Sequence, residues 1–337
     1  MDTIMDIYIT LDYELFLGEA CGTPENCLIK PMDRLCRIAD EFHFKYIIFV
    51  DASYLLRMHQ LRNQYPEVLE EFNLVANHVK KLANEGHDIQ LHFHPQWLYS
   101  AWGGNEKRWL LDRTHYKLSD MPYEDVAKYL PEAKDLLDSI IGYKTTAYRA
   151  GGFCLDSFER YRDLFLQLGL VIDSSVARGQ FVKSPIHYYD YRNVPKKQIY
   201  YFNTSIKKEV IDGPFKELSI SSTQWNPFYF AFKIRNRRMA FEEIEATADG
   251  RGISDGKILY WERIKKMFRP SVATVSIDGG ETVLLGIHLL EHVKRGEKEM
   301  IIIGHPKFVS KSSADNIFAF LKQNQNILTI KTTCDLL

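Results

Sequence analysis

The feature that most constrains this chain is a recurring unit: a short continuous apolar run, a polar residue at its end, then a helical pattern. Tyr46–Val50 reads YIIFV and stops at Asp51; Met300–Gly304 reads MIIIG and stops at His305. A run of this kind, apolar without alternation, is what a strand covered on both faces requires. The first strand is expected at Ile7–Leu11 and runs into Asp12-Tyr13-Glu14, with a helix at Met32–Phe42. A helical pattern from Pro66 to Glu85 ends at Gly86, and a strand follows at Asp88–Phe93. Next come a helix at Pro122–Ile141, a strand at Thr145–Tyr148, a helix at Ser157–Leu168 and a strand at Val171–Asp173. Late in the chain, helices at Thr282–Lys294 and Ser313–Lys322 bracket the MIIIG strand, and Ile327–Lys331 is the last strand. Strand alternating with helix implies parallel strands, and such folds place their chemistry at the strands' C-terminal ends.

The expected fold is therefore α/β, with the strands in a parallel barrel or an open sheet. Two stretches break the alternation and read as insertions: about 96–119, rich in Trp and Tyr, and about 189–269. With 337 residues, 45% of them hydrophobic, the chain can bury a sizeable core without staples. A formal net charge of −1 argues against a nucleic-acid partner, which favours strongly basic domains. Cys21, Cys27, Cys36, Cys154 and Cys334 are odd in number and match no zinc spacing. They read as reduced thiols in a cytoplasmic protein. The N-terminus has no basic segment leading into an apolar run, and no stretch approaches the length of a membrane span.

Four constellations carry chemistry. Asp12 and Glu14 stand at i and i+2, so a strand would set both carboxylates on one face. Like charges this close need a cation or a proton between them. One could bind a metal while the other serves as general base; the plain alternative is a pair of exposed loop acids. His92 and His94 repeat that spacing at the end of the next-but-one strand, a pattern that suits zinc or a similar divalent ion. Arg149, in Tyr148-Arg149-Ala150-Gly151-Gly152, can hold a carboxylate in fixed geometry. His305, in Gly304-His305-Pro306-Lys307, stands where a general acid could act.

In order and spacing these motifs resemble the polysaccharide deacetylase family (carbohydrate esterase family 4, the NodB-homology domain). That family's first motif is a strand ending in Thr-Phe-Asp-Asp-Gly, and Thr10-Leu11-Asp12-Tyr13-Glu14 matches its start. Its Gly-His-Glu-Ile followed by a metal-binding His is matched by Gly86-His87-Asp88-Ile89 leading to His92. Arg149-Ala150-Gly151 matches its Arg-x-Gly element, and His305 its last catalytic His. Two positions depart: Tyr13 stands at the family's second aspartate and Gln96 at its second histidine. Glu14 and His94 are the substitutes. An Asp-x-Glu first motif looks like the divergent branch associated with surface-glycan gene sets.

The resemblance implies an irregular (β/α) barrel of that family's type, formed as one catalytic domain over 1–337 with the two insertions, and metal-assisted removal of an N-acetyl group from an amino sugar or glycan intermediate. One divalent ion, zinc or another, would be held by Glu14, His92 and His94. Asp12 would take a proton from water, Arg149 would hold Asp12, and His305 would protonate the departing amine. Trp97 and Trp102, beside Tyr99 and Trp109, are expected either to line a sugar cleft or to anchor their insertion. Asp173, in Asp173-Ser174-Ser175, is expected to shape the site and touch substrate, or else this segment caps a helix.

The segment Phe228–Arg238 mixes aromatic and basic residues. It reads first as a solvated charged face, with contact to a membrane surface or a lipid-linked sugar phosphate as the alternative. Gly250–Lys257 resembles a phosphate loop, but its glycine spacing fails and no apolar strand precedes it. Two rival readings remain: an amidohydrolase acting on another non-peptide C–N bond, and a lapsed site that only binds glycan.

Overall fold

A computed structural model describes residues 5–155, 157–184, 187–225, 248–252 and 271–337. The segment Phe228–Arg238 lies outside the described residues, as does most of the Gly250–Lys257 stretch.

Along the chain the regular elements are β1 (Met5–Tyr13), α1 (Lys30–Phe42), β2 (Ile47–Asp51), α2 (Ala52–Leu61), α3 (Pro66–Asn84) and β3 (Asp88–Phe93). They continue with α4 (Gln96–Tyr99), β4 (Ala101–Gly103), β5 (Arg108–Leu110), α5 (Tyr123–Ile141), β6 (Ala147–Ala150), α6 (Arg162–Gln167) and β7 (Ile172–Asp173). Then come β8 (Phe181–Lys183), β9 (Tyr188–Asp190), β10 (Ile199–Phe202), β11 (Phe215–Leu218), β12 (Ser222–Trp225) and β13 (Ser271–Thr274). The last are α7 (Leu285–Lys294), β14 (Glu299–Gly304), α8 (Lys311–Asn324) and β15 (Leu328–Ile330). No described helix is long and apolar enough to cross a membrane. None of the five cysteines is in a disulfide.

Local chemistry explains the boundaries. Pro66 opens α3 because its missing N–H is one that a first helical turn leaves unpaired anyway, and Tyr65 before it is extended. Asp51 ends β2 and caps α2 at once, its carboxylate accepting the Tyr54 N–H at 3.3 Å. That immediate passage from strand to helix made α2 hard to anticipate. Ser310 caps α8 through the Ser313 N–H at 3.1 Å.

The chain divides into two compact units, Met1–Phe44 with Ile220–Lys331, and Lys45–Ser219 with Thr332–Leu337. In the first, β14 runs parallel to β1 with Ile7 opposite Met300 and Leu11 opposite Gly304, and β15 also pairs parallel to β1. On β14 the backbone of Ile303 donates to Val275 and accepts from Ile277, so the segment 275–277 runs beside the strand and delivers Asp278 to its end. The core here is apolar in the way the sequence foretold, with Ile7, Ile9, Leu11 and Met300–Ile303 all buried.

In the second unit β2, β3, β6, β7 and β11 follow one another in parallel, and β10 closes onto β11 antiparallel. The stretch 189–269 was expected to be an insertion, but Phe215–Leu218 is a strand of the parallel sheet. Its FKEL sequence hides this, because Glu217, wholly buried, interrupts the apolar signal. Gln90 ties β3 to the start of β6: its Oε1 accepts the N–H groups of Thr146 and Ala147, while its Nε2 donates to Asp88 of its own strand at 2.6 Å. A buried glutamine on a strand is tolerated only when its amide is satisfied in this way.

Candidate active site

In the first unit, β1 ends at Tyr13 and the chain turns at once, the Glu14 N–H donating to the Asp12 carbonyl at 3.1 Å. Glu14 therefore sits just beyond the strand rather than in it. The two carboxylates are nevertheless neighbours, since both meet one imidazole. His305 Nε2 is 3.6 Å from Asp12 Oδ2 and 3.6 Å from Glu14 Oε1. Its other nitrogen, Nδ1, is 2.8 Å from Asp278 Oδ2, and its backbone N–H donates to Asp278 Oδ1 at 2.7 Å. Asp278 thus sets both the ring orientation and the tautomer. Burial alone would lower the His305 pKa, but the charges of Asp278, Asp12 and Glu14 outweigh it, and the imidazole holds its proton above the ordinary histidine range. A proton can be held at Nε2 and released there, as a general acid requires.

Asp278 and Lys307 were not expected from sequence. The buried Lys307 donates to Glu14 Oε1 at 2.8 Å and to the Leu15 carbonyl at 2.8 Å. Its ammonium also lies over the rings of Phe16 and Phe308, at 5.3 and 5.6 Å. Glu14 is thereby a paired, oriented carboxylate. Tyr13, at the family's aspartate position, is a buried phenol; burial, with Asp33 and Cys36 adding, pushes its pKa well above the ordinary tyrosine value. It cannot stand in for a carboxylate at neutral pH.

In the second unit, His92 and His94 leave the end of β3 with their rings 4.7 Å apart and nearly perpendicular. His92 Nδ1 is 2.8 Å from the Arg149 carbonyl. This bond makes Nδ1 the donor and Nε2 the lone-pair nitrogen, the outer-sphere arrangement that metal-binding histidines use. The backbone of His94 is held on both sides by Ser53: its N–H donates to the Ser53 hydroxyl at 2.9 Å, and its carbonyl lies 2.8 Å from the same oxygen. Ser53 Oγ in turn lies 2.5 Å from Asp51 Oδ1. The Asp51–Ser53 pair thus clamps the histidine strand from its neighbour β2.

The glycine of Arg149-Ala150-Gly151 has a physical reason. A Cβ built at Gly151 would come within 2.5 Å of His94 Nδ1. Gly152 has a φ of +56°, and a Cβ there would meet the Tyr116 hydroxyl at 2.5 Å. Arg149 is wholly buried, its guanidinium 4.2 Å above the Phe49 ring. It donates to the Ser174 carbonyl at 2.9 Å and to the Ser174 hydroxyl at 2.8 Å.

Asp173 does not present itself to a substrate. It is buried, and its oxygens accept the Ser175 hydroxyl at 2.8 Å and the Ser175 N–H at 3.0 Å. Burial raises its pKa, only partly offset by its bonds from Glu217 and Ser175. Burial, with the neighbouring Asp173 adding, raises the Glu217 pKa as well. Ser174 and Ser175 therefore shape the strand end rather than cap a helix.

The aromatic loop after His94 is packed internally. Trp97 is fully buried, and its ring lies 4.5 Å from Tyr54 and 5.4 Å from Trp109. Trp102 is 8% exposed and 5.3 Å from Trp109, whose indole N–H donates to Glu71 at 2.8 Å. Trp97 and Trp102 anchor the loop, and their faces are covered by protein rather than open to a sugar. Gln96 is also buried.

No family model matches the chain, and no curated protein matches it. Solved structures do. One, assigned as a polysaccharide deacetylase of Mycobacterium smegmatis, is 13% identical, with a TM-score of 0.52 over 100% of this chain and 90% of its own. Another assigned to the same class, from Pseudomonas aeruginosa PAO1, is 12% identical, with a TM-score of 0.46 over 99% and 90%. PuuE allantoinase is 13% identical, with a TM-score of 0.46 over 99% and 89%. At 13% identity the likeness to the first of these is one of fold. Polysaccharide deacetylases thus stand among the structural neighbours of this protein, and its fold class is the one expected from sequence, an α/β fold of the polysaccharide-deacetylase type.

Proposed function

We propose that the protein is a metal-dependent hydrolase that removes an N-acetyl group from an amino sugar in glycan or surface-polysaccharide biosynthesis. The observation that carries this reading is His305, pinned by Asp278 at Nδ1 with Nε2 3.6 Å from both Asp12 and Glu14. An imidazole oriented at one nitrogen and facing two carboxylates with the other is built for proton transfer.

The donor chemistry fits a divalent cation. Glu14, His92 and His94 offer one carboxylate and two imidazoles, and the Nδ1 bond of His92 leaves Nε2 as the ligating atom. When bound, the ion, zinc or a similar metal, would supply positive charge for the oxygen that becomes negative as the acetyl carbonyl is attacked. Asp12 accepts the proton of the attacking water. His305 Nε2 delivers a proton to the departing amine, with Asp278 stabilising the charged imidazole. Arg149, fixed by Ser174 and Phe49, would orient the general base in this reading.

Support for this assignment comes from the order of the motifs, the placement of the polar residues at parallel strand ends, and the fold shared with a deacetylase-type structure. Metal analysis of the purified protein, together with acetate release from N-acetylated sugars by the wild type, His92→Ala and Asp12→Asn, tests it. The expected result is a stoichiometric divalent ion, lost in His92→Ala, with acetate release abolished in both variants. Full metal content and full activity in both variants would refute the assignment.

A further inference from the structure

Lys307 takes no part in the proton transfers above, yet it stands at their centre. A single 3₁₀ turn, Pro306–Phe308, closes with the Phe308 N–H donating to the His305 carbonyl at 2.9 Å. It brings the side chains of residues 305 and 307 to one carboxylate oxygen. Glu14 Oε1 lies 3.6 Å from His305 Nε2 and 2.8 Å from Lys307 Nζ. The same ammonium donates to the Leu15 carbonyl at 2.8 Å, so it holds the backbone beside Glu14 as well as its side chain.

A lysine is costly to bury, and its stem is long enough to reach water from most places. This one is turned inward, onto an acid. The Phe16 and Phe308 rings meet edge to face at 5.3 Å and lie 5.3 and 5.6 Å from Nζ. The Lys307 and Glu14 side chains are 5% and 8% exposed, so solvent and salt screen the pair little.

The charges around His305 show what the lysine is for. Asp12, Glu14 and Asp278 all lie within 3.6 Å of its ring nitrogens. Without Lys307, one imidazolium would face these three carboxylates where water cannot compensate the excess. Glu14 also lies just past the end of β1, so strand pairing does not fix it. Close carboxylates need a cation or a proton, and here the chain supplies a cation of its own.

We infer that Lys307 is the resident counter-ion of the acid pair: its ammonium keeps Glu14 in place when no metal is bound, and keeps a bound divalent ion exchangeable by sharing that carboxylate with it. The second half rests on the metal-dependent reading above. A divalent ion arriving at Glu14 meets a positive charge already there, and the two repel across a poorly screened distance. Removing the lysine charge therefore has two opposite effects. The metal-free protein is left with a buried acid short of a partner, and the metal gains the share of Glu14 that the ammonium held.

The test compares the full chain as wild type, Lys307→Met, Glu14→Gln and the Glu14→Gln/Lys307→Met double variant. Methionine keeps an unbranched stem against the two rings and removes the charge. Thermal melting is followed in excess EDTA, and zinc affinity is measured by competition with a chromophoric chelator. In EDTA, Lys307→Met should melt lower by about 5 °C or more. Adding Glu14→Gln should restore most of that loss, because the unpartnered acid is gone. Zinc affinity of Lys307→Met should rise by about tenfold or more. Additive losses in the double variant, or a zinc affinity at or below that of the wild type, overturn the inference. If Lys307→Met does not fold, the double variant decides: its folding supports the counter-ion and its failure to fold overturns it. The two readings fail separately. If the wild type binds no zinc, the metal-dependent assignment falls and the melting temperatures alone decide the counter-ion. If zinc binds stoichiometrically with additive losses and unchanged affinity, the counter-ion falls and the assignment stands.

Discussion

Gly151→Ala isolates the link between the loop that follows β6 and the histidine pair. The added methyl would sit 2.5 Å from His94 Nδ1 and 2.8 Å from Cε1 and Cγ. Ordinary contact between such atoms is about 3.5–4.0 Å, so the ring must move by roughly 1 Å. It cannot do so by shifting its backbone, because Ser53 holds both the N–H and the carbonyl of His94. The residue's own φ is unstrained, so the cost comes from the collision and not from backbone conformation. Overpacking of this kind costs about 1–3 kcal/mol. If His94 is a metal ligand, a displacement of this size lowers metal occupancy, and an error of about 1 Å in a reacting group can cost on the order of 10²-fold in rate. The assay pairs thermal denaturation with metal content after dialysis against a weak chelator and with acetate release. Gly286→Ala is the control, since a Cβ there meets nothing within 4 Å. A Gly151→Ala protein with wild-type stability, metal content and activity would refute the reasoning.

Two further predictions rest on polar contacts. Asp278→Asn removes the charge that fixes His305, so kcat for acetate release should fall by about 10²-fold or more with KM little changed; an equal kcat would mean that His305 is not the acid. Burial raises the pKa of both Glu217 and Asp173, so the pair is expected to hold a proton when folded. A carboxyl whose folded pKa lies above its unfolded value binds more proton when folded, so its contribution is complete at low pH. It is lost as pH rises from the ordinary glutamate value toward the folded one, at up to about 1.4 kcal/mol per pH unit for one proton. Glu217→Gln keeps the hydrogen bond without the titration and should flatten the fall in denaturant midpoint above about pH 5; an unchanged pH profile would show that the pair does not hold the proton.

Much of the scaffold was legible because strands and helices write their periodicity locally. Asp88–Phe93 is a strand over the residues expected, and the helices around Met32–Phe42 and Pro122–Ile141 differ from expectation only at their first turns. The pairs Asp12 with Glu14 and His92 with His94 were singled out by strand alternation, yet Glu14 and His94 lie just past the ends of β1 and β3, where the chain has already left the strand. A buried charge defeated the same reading at Phe215–Leu218, where Glu217 broke the apolar run of a true sheet strand. An aromatic-rich loop likewise looked open to sugar until Trp97, Trp102 and Trp109 proved to pack on one another.

The sequence by itself determined the strand ends, their order and the residue types gathered there, because hydrophobic periodicity and capping act over a few residues. Only the tertiary structure decided who partners whom. His305 meets Asp278 because the segment 275–277 runs beside β14, Glu14 meets Lys307 across almost the whole chain length, and Gly151 is small because the His94 ring lies over it. Those contacts join residues far apart in sequence, and no local pattern encodes a contact whose partner is placed by the packing of other strands.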